Sequence, residues 1–420
     1  MKNRPSAELL EKMIIEKMIS TDILFFVPEW PVLDSPILHA QVLSVASFLN
    51  QHGFACRFAG AETSPSRARE AVAMIEKDYR IQAHVVPVLS PNAGAASLWW
   101  ACLKVYHHLR TDLSQTPITH VYARSFIGSI WARRLARNLN ALSIFDVRAI
   151  ISQEQRLEQR SCLKSWVSSY LELHESRRAD RLSTVSENLR TLLTRESARK
   201  DITVIPSCFN EDSFYFDPAA RKNIRIGLGL TDDTILLCYS GGTSTWQRIG
   251  DIISLLKEVC ASDTRCKALF LTTNQDEVAR RLVQAQFPSD QAFVRRCSHK
   301  EVTRYLSAAD LGLIMRHDIP VNNVASPVKV GEYLACGLPV ILTRGIGDYS
   351  TLLPAEGVGL LLDETAHLAG QVLQFIYRQN FSTLRSTAIR FAQSRLTMSA
   401  NLAQYRSLYA PREGAGRLPC

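Results

Sequence analysis

Hydrophobic positions along the chain alternate between two patterns. Short unbroken apolar runs are closed by Pro, Gly or Asn, as in DILFFVP (22–28), ACRFAG (55–60) and KALFLTTN (267–274). Such runs read as strands buried on both faces. Between them lie longer segments with apolar residues three and four apart. Leu38, Val42, Val45 and Leu49 follow Ser35-Pro36 and precede Gly53, which predicts an amphipathic helix with a Ser-Pro start and a Gly stop. AASLWWACLKVYHHLRTD (95–112), SIWARRLARNLN (129–140) and WQRIGDIISLLKEVCA (246–261) read the same way. Strands alternating with crossover helices predict parallel sheets covered on both faces. The alternation runs twice: a mainly helical stretch from Gln153 to Lys200 and a polar turn near Pro206–Phe216 separate the halves. The expected architecture is α/β, two doubly wound parallel-sheet (Rossmann-like) domains with a cleft between them. An N-terminal arm covers 1–20, the first domain 21–208 and the second 209–393, and after strand PVILTRG (339–345) a long helical tail is expected.

Composition agrees with a soluble globular chain, 46% hydrophobic and 21% charged. There is no apolar run long enough to span a bilayer. The start, MKNRPSAELLEKMIIEKMIS, has no signal-peptide core, which argues against export. Ten cysteines are scattered without a Cys-x-x-Cys pair, and several sit in apolar strands, as Cys238 does. That is reduced-thiol core usage and fits the cytoplasm. The ten histidines show no metal-ligand spacing, so a zinc site is not expected. The net charge of +9 admits nucleic acid, an anionic membrane face or an anionic small substrate, or a solvated surface with a modest excess of Arg. The basic clusters SRRADR, ARRLAR and VRRC lack an interleaved aromatic module, so nucleic acid is not an expected partner.

Ligands of doubly wound sheets bind beyond the carboxyl ends of the strands. Strand TILLCYS ends at Gly241-Gly242, with Arg248 at the entry to the next helix. Glycines there let backbone N–H groups approach phosphate oxygens, although an ordinary βα turn looks the same. Strand DLGLIMR ends at Arg316, followed by Asn322, and then comes SPVKVGEYLACGLPVI (326–341). In that segment Pro327 fixes the helix entry, Ser326 can cap it, and Lys329 lies in the first turn. A cation there opposes the helix dipole at a cost of up to ~1 kcal/mol, which a bound anion would remove. Glu332, three residues on, shares nearly the same face. Lys for a diphosphate and Glu for ribose hydroxyls is what a nucleotide-sugar needs; a surface Lys–Glu pair is the plainer alternative.

The segment PVKVGEYLACGLPVI resembles the donor-site signature of family 4 glycosyltransferases, retaining enzymes of GT-B fold, in the branch common among bacterial polysaccharide enzymes. YSGGTSTWQ, ADLGLIMR, ITVIPSCFNEDSF and VPEWPVLDSPILHAQVLSVASFL are similar to further family segments in the family's order, so the resemblance spans about residues 20–410. It implies a retaining transferase that needs no metal and no cofactor. The second domain would bind the nucleotide-sugar donor and the first a saccharide, or a lipid-linked saccharide, acceptor. Glu332 would hold the ribose. Gly241, Gly242, Arg248, Arg316, Asn322, Ser326 and Lys329 would meet the diphosphate and sugar. Arg124, Asp146 and Arg148 would face the reacting sugar from the first domain, with Ser125, Glu154 and His39 as weaker candidates. An ion pair internal to the domain is the other reading of Asp146 and Arg148. The final helix, 394–411, would cross back onto the first domain. The expected setting is cytoplasmic, at the inner face of a bacterial plasma membrane, with 97–110 (SLWWACLKVYHHLR) either meeting that membrane or forming an ordinary buried helix. One departure stands out: the family places a first Glu eight residues before the second, and here that position is Val324. Two other readings share the architecture: a sugar-nucleotide epimerase, and a non-catalytic nucleotide-sugar-binding scaffold.

Overall fold

The computed structural model describes residues 21–89, 94–157, 162–297 and 299–411; the expected N-terminal arm lies outside them. Two wholly parallel sheets organise the chain. The first comprises β1 (Asp22–Pro31), β2 (Ala55–Glu62), β3 (Gln82–Pro87), β4 (His120–Ala123), β5 (Leu142–Val147), β6 (Arg181–Thr184) and β7 (Ile202–Val204). Its spatial order is β3-β2-β1-β4-β5-β6-β7. The second comprises β8 (Ile235–Ser240), β9 (Cys266–Leu271), β10 (Ala292–Arg295), β11 (Leu311–Ile314), β12 (Val340–Leu342) and β13 (Gly359–Leu361), in the order β10-β9-β8-β11-β12-β13. The strand order reverses between β1 and β4 in one sheet and between β8 and β11 in the other. Adjacent crossovers leave opposite faces at such a switch point, and a crevice opens at the strands' carboxyl ends.

Both faces of each sheet are buried, which explains why the strands read as continuous apolar runs. Phe25, Ile23 and Val27 of β1 point to one core, Leu24 and Phe26 to the other. The alternation is the period-two geometry of a strand with helices on both sides. The second sheet repeats this, with Leu236 and Cys238 on one face and Leu237 and Tyr239 on the other. Cys56, Cys102, Cys238, Cys260, Cys266 and Cys336 are buried free thiols.

Three local expectations change. The helix after β1 is not uniform: Pro36–Leu38 leads into a five-residue π segment, His39–Leu43, and then Ser44–Gln51. The π turn lies where the chain passes the cleft, and it carries Gln41. The tail after β12 is not purely helical, because Gly359–Leu361 adds an edge strand to β12. Three residues are too few to display a strand period. The segment 95–112 is neither wholly buried nor wholly exposed: Cys102, Val105 and Leu109 enter the core while Trp100 is exposed.

The chain passes between the domains twice. Ile205 packs in the first domain's core and Phe209 in the second's, and Phe209 N–H donates to the Leu396 carbonyl at the end of the helix Phe381–Arg395, where the chain returns. Beyond it, Tyr405, Leu408 and Tyr409 are buried among the first-domain residues beneath β1. The domains also bond directly. Asp348 accepts the N–H groups of Glu187 and Asn188 at the start of a first-domain helix, 2.7 and 3.0 Å away. Ser186 Oγ donates to the Val324 carbonyl at 2.7 Å.

Candidate functional site

A cavity of about 520 Å³ opens between the two switch points, lined from the first domain by Gln41, Arg124, Arg148 and Glu154, and from the second by Trp246, Arg316, Ser326 and Lys329. Its two walls are built differently.

The second-domain wall begins at the end of β8. Tyr239 Oη donates to the Gly242 carbonyl at 2.6 Å, and Ser240 N–H donates to Tyr333 Oη at 2.7 Å. Two tyrosines thus fix the glycine turn, one from the strand and one from the helix Val328–Ala335. Tyr333 reaches that position because Gly312 of β11 leaves room: a Cβ there would fall 2.4 Å from its ring. Lys329 projects from the first turn of the same helix over Gly241, where a Cβ would stand 2.2 Å from Nζ. The glycine is required for this close approach.

Lys329 and Arg316 line the cavity, whereas Glu332, one turn further along the helix, and Gly241 and Gly242 stand beside it; Lys329, Glu332 and Arg316 are all half-buried. Among the described residues their charged groups make no hydrogen bond or ion pair: Arg316 is anchored only through its backbone, by Thr343 Oγ1 at 2.9 Å and by Arg248 Nη1, which donates to its carbonyl at 3.2 Å, and its buried Nε has no partner. The energetic consequence shows in their protonation. Burial, and next the Arg316 charge, bring Lys329 down to about 8, with Glu332 opposing. Burial lifts Glu332 to about 7 against the pull of Lys329. Burial also lowers Arg316. Desolvated charges without partners are costly, and a ligand supplying those partners removes the cost.

Other expected donor-site residues are already engaged. Arg248 does not line the cavity; its guanidinium is held by Asp251 at 2.6 Å and Glu364 at 2.7 Å. Asn322 Nδ2 donates to the His317 carbonyl at 2.9 Å, closing the turn after β11. Ser326 does not cap its helix, whose N-cap is Pro327 with no side-chain bond. Its hydroxyl instead accepts from Ser207 N–H at 3.1 Å and bonds Tyr349 Oη at 3.1 Å, joining the two domains. Val324 is buried in the first domain's core, so a Glu in its place would put a carboxylate among apolar side chains.

The first-domain wall is largely self-satisfied. Asp146 accepts from Tyr122 Oη at 2.6 Å, Ser183 Oγ at 2.8 Å and Arg148 Nη1 at 3.2 Å. Burial pushes its pKa up, but Arg148, the Tyr122 bond, Arg124 and Ser183 together bring it below the usual carboxylate range. Asp146 therefore stands behind the wall and positions Arg148, which reaches Ser207 Oγ at 2.9 Å and lines the cleft. The expectation of a carboxylate presented to substrate by Asp146 is corrected to the internal ion pair. Arg124 is different: it donates to Gln41 Oε1 at 2.6 Å, lies over the Trp30 ring, and keeps Nη1 buried without a partner. Ser125 caps the helix Phe126–Asn138 and donates to Glu29 at 2.6 Å. His39 is structural, bonding Tyr79 Oη and the Val32 carbonyl.

A further cavity, about 440 Å³, lies between the domains on the linker side, lined among others by Pro206, Asp348, Tyr349 and Arg395. Its ionic groups are paired, Asp348 to backbone N–H groups and Arg395 to Glu356. Elsewhere, tertiary structure brings His84, His108 and Asp112 together, with ligand atoms within 4.8 Å of one another. Sequence spacing hid this group because β3 supplies one member and a helix the others. His84 Nδ1 already pairs with Asp112 at 3.0 Å.

Sequence reasoning missed Tyr239, Tyr333 and Thr343, which carry no charge and act by holding Gly242, Ser240 and Arg316. Their only signal was position, at or just after a strand end or one turn into the signature helix.

No protein-family model matches the chain, and no curated protein matches it. Solved structures do. Sucrose-phosphate synthase from Thermosynechococcus elongatus superposes with a TM-score of 0.69 at 16% identity, over 93% of this chain and 98% of that one. Anabaena Alr3699/HepE, solved with UDP-glucose, gives 0.66 at 15%, over 92% and 99%. WaaG, a glycosyltransferase involved in lipopolysaccharide biosynthesis, gives 0.62 at 13%, over 93% and 100%. At such identities the likeness is one of architecture: the chain has the two-domain GT-B fold.

Proposed function

We propose that the protein is a glycosyltransferase that moves a sugar from a nucleotide-sugar donor to a saccharide acceptor, with retention and without a metal. The observation that carries this reading is the trio Arg316, Lys329 and Glu332 at the switch point of the second sheet, whose charged groups make no hydrogen bond or ion pair among the described residues, Lys329 lying only over the Tyr239 ring at 5.7 Å. Two cations match a diphosphate, and a carboxylate one turn away matches a pair of ribose hydroxyls. Gly241 and Gly242 let the phosphates approach the turn closely.

In this mechanism Arg316 and Lys329 stabilise the charge that grows on the diphosphate as its bond to the anomeric carbon breaks. The acceptor hydroxyl attacks from the same face, and its proton passes to the departing phosphate oxygen. Arg124 and Arg148 bound the reacting sugar from the opposite wall, and Asp146 acts as a positioning residue through Arg148. Cleft closure excludes water from the reacting centre.

The finer setting, a lipid-linked acceptor at an anionic membrane surface, draws on a different region. Leu163, Trp166, Val167 and Tyr170 are exposed along one face of the helix Cys162–Arg178. Both this helix and the one carrying the exposed Trp100 pack against Phe126–Asn138. An exposed aromatic face on a chain of net charge +9 suits an interfacial, peripheral contact. No described helix is long and apolar enough to cross a membrane.

The test is thermal unfolding with UDP, GDP, ADP, CDP or dTDP, on wild type and Glu332→Ala. A ligand at a hundred times its dissociation constant adds about 2.7 kcal/mol of stability. Stabilisation of the wild type by one nucleotide, absent in the variant, supports the reading. No stabilisation at millimolar concentration by any of the five rejects it.

A further inference from the structure

We infer that the first-domain wall of the cleft is a subsite for an anionic sugar, one bearing a carboxylate or a phosphate group. The inference deepens the transferase reading and rests on it for the identity of the opposite wall.

Four cations, Arg124, Arg148, Arg316 and Lys329, and one acid, Glu154, line the cavity. Arg316 and Lys329 belong to the second domain and match the two phosphates of a nucleoside diphosphate. Arg124 and Arg148 stand across from them in the same cavity. Of the two guanidinium groups Asp146 bonds only that of Arg148, and Glu154, the acid that lines this wall, is not within ion-pair distance of Arg124. Tyr122 and Ser183 take its remaining capacity. Arg124 has no carboxylate within ion-pair distance among the described residues; its partners are the neutral Gln41 and the face of Trp30, 5.6 Å away. Its Nη1 is buried and unbonded.

Glu29, whose charge also acts on Arg124, does not resolve this. It lies at the end of β1 with Oε1 bonded to Ser125, and burial raises its pKa. Burial, and then the charge of Arg148, depress Arg124 to about 10, with the nearby acids only partly opposing.

A neutral sugar hydroxyl can accept one hydrogen bond from Arg124 but cannot offset its charge. A carboxylate or phosphate does both, and a guanidinium engages either in two-point fashion. The position agrees as well: Arg124 follows β4 at the switch point of the first sheet, where ligands of such sheets bind. A wall built for neutral sugars would be expected to pair Arg124 with an acid, as it pairs Arg148.

Titration calorimetry on the full chain saturated with UDP tests this, using glucose 6-phosphate, glucuronate, glucose and inorganic phosphate as probes. At least one charged sugar should bind roughly tenfold or more tighter than glucose, and which one does so identifies the anionic group. Arg124→Gln should lose that preference while keeping UDP affinity within about twofold, and Arg124→Lys should retain part of it. Equal affinity for charged and neutral sugars overturns the inference. So does inorganic phosphate binding as tightly as the charged sugar, which would mean an adventitious ion only. A parallel loss of UDP affinity in Arg124→Gln also overturns it, by assigning Arg124 to the diphosphate. If UDP does not bind at all, the donor reading fails separately, and the same sugar titrations on the ligand-free chain still decide the question for this wall.

Discussion

The two walls of the cleft carry similar charges and treat them in opposite ways. On the first-domain side, Asp146 and Arg148 are bonded to each other and to Tyr122, Ser183 and Ser207. On the second-domain side, Arg316, Lys329 and Glu332 are comparably desolvated, yet they make no side-chain bond among the described residues. A satisfied network is part of the fold and holds its members in place. Unsatisfied charges are a debt of folding that persists only where a ligand makes use of them. Arg124, on the satisfied side, is the exception, with its Nη1 buried and unbonded.

The contrast can be broken most sharply at Asp146. Asp146→Ala removes the buried carboxylate that Arg148, Tyr122 and Ser183 share, which should cost about 3–5 kcal/mol of stability in chemical denaturation. Nucleotide affinity in the folded fraction should change little. Loss of affinity with intact stability would move Asp146 back into the binding site. On the other wall, Arg316→Gln should do the reverse. Nucleoside diphosphate affinity should fall about 10–100-fold by calorimetry, while the unfolding midpoint stays level or rises.

Gly241→Ala gives a smaller effect. Its Cβ would displace the Lys329 ammonium without removing it, so affinity should drop by roughly tenfold, in line with one weakened charge-assisted bond. An unchanged affinity would mean that Lys329 does not work from this position.

The mildest prediction concerns pH. Glu332 is raised to about 7, so the folded state holds its proton, and the stability this contributes is lost as pH rises through 7. Ribose binding needs the carboxylate, so affinity should weaken as pH falls below about 7. Lys329 is lowered to about 8, and its ammonium is lost above that value. Affinity should therefore be greatest between about pH 7 and 8. Glu332→Gln should remove the acid limb, leaving only the nucleotide's own titration. An acid limb unchanged in that variant would contradict the assignment.

Much of this was legible in the sequence, and the failures have physical causes. Apolar runs and helical spacing gave both sheets, because strands buried on two faces leave an unambiguous signature. The three-residue β13 and the π segment at His39–Leu43 left none, since neither is long enough to set a period. Lys329, Glu332, Arg316 and Gly241 were visible as charge and glycine at strand ends and a helix start. What sequence could not provide was pairing. Arg248 read like Arg316 until Asp251 and Glu364 were found holding it. Asp146 read as a substrate-facing acid until Tyr122 and Ser183 were found to use it up. Val324 read as a missing acid, and it proved to be an apolar contact with the first domain's core.

The most direct test of the claim that the second wall's bare charges exist for a ligand is to replace Lys329 by Met and measure two quantities on one sample. The account predicts that Lys329→Met raises the unfolding midpoint of the ligand-free protein and abolishes stabilisation by the nucleotide that protects the wild type. A lowered midpoint with nucleotide binding intact would show that Lys329 serves the fold, and would contradict it.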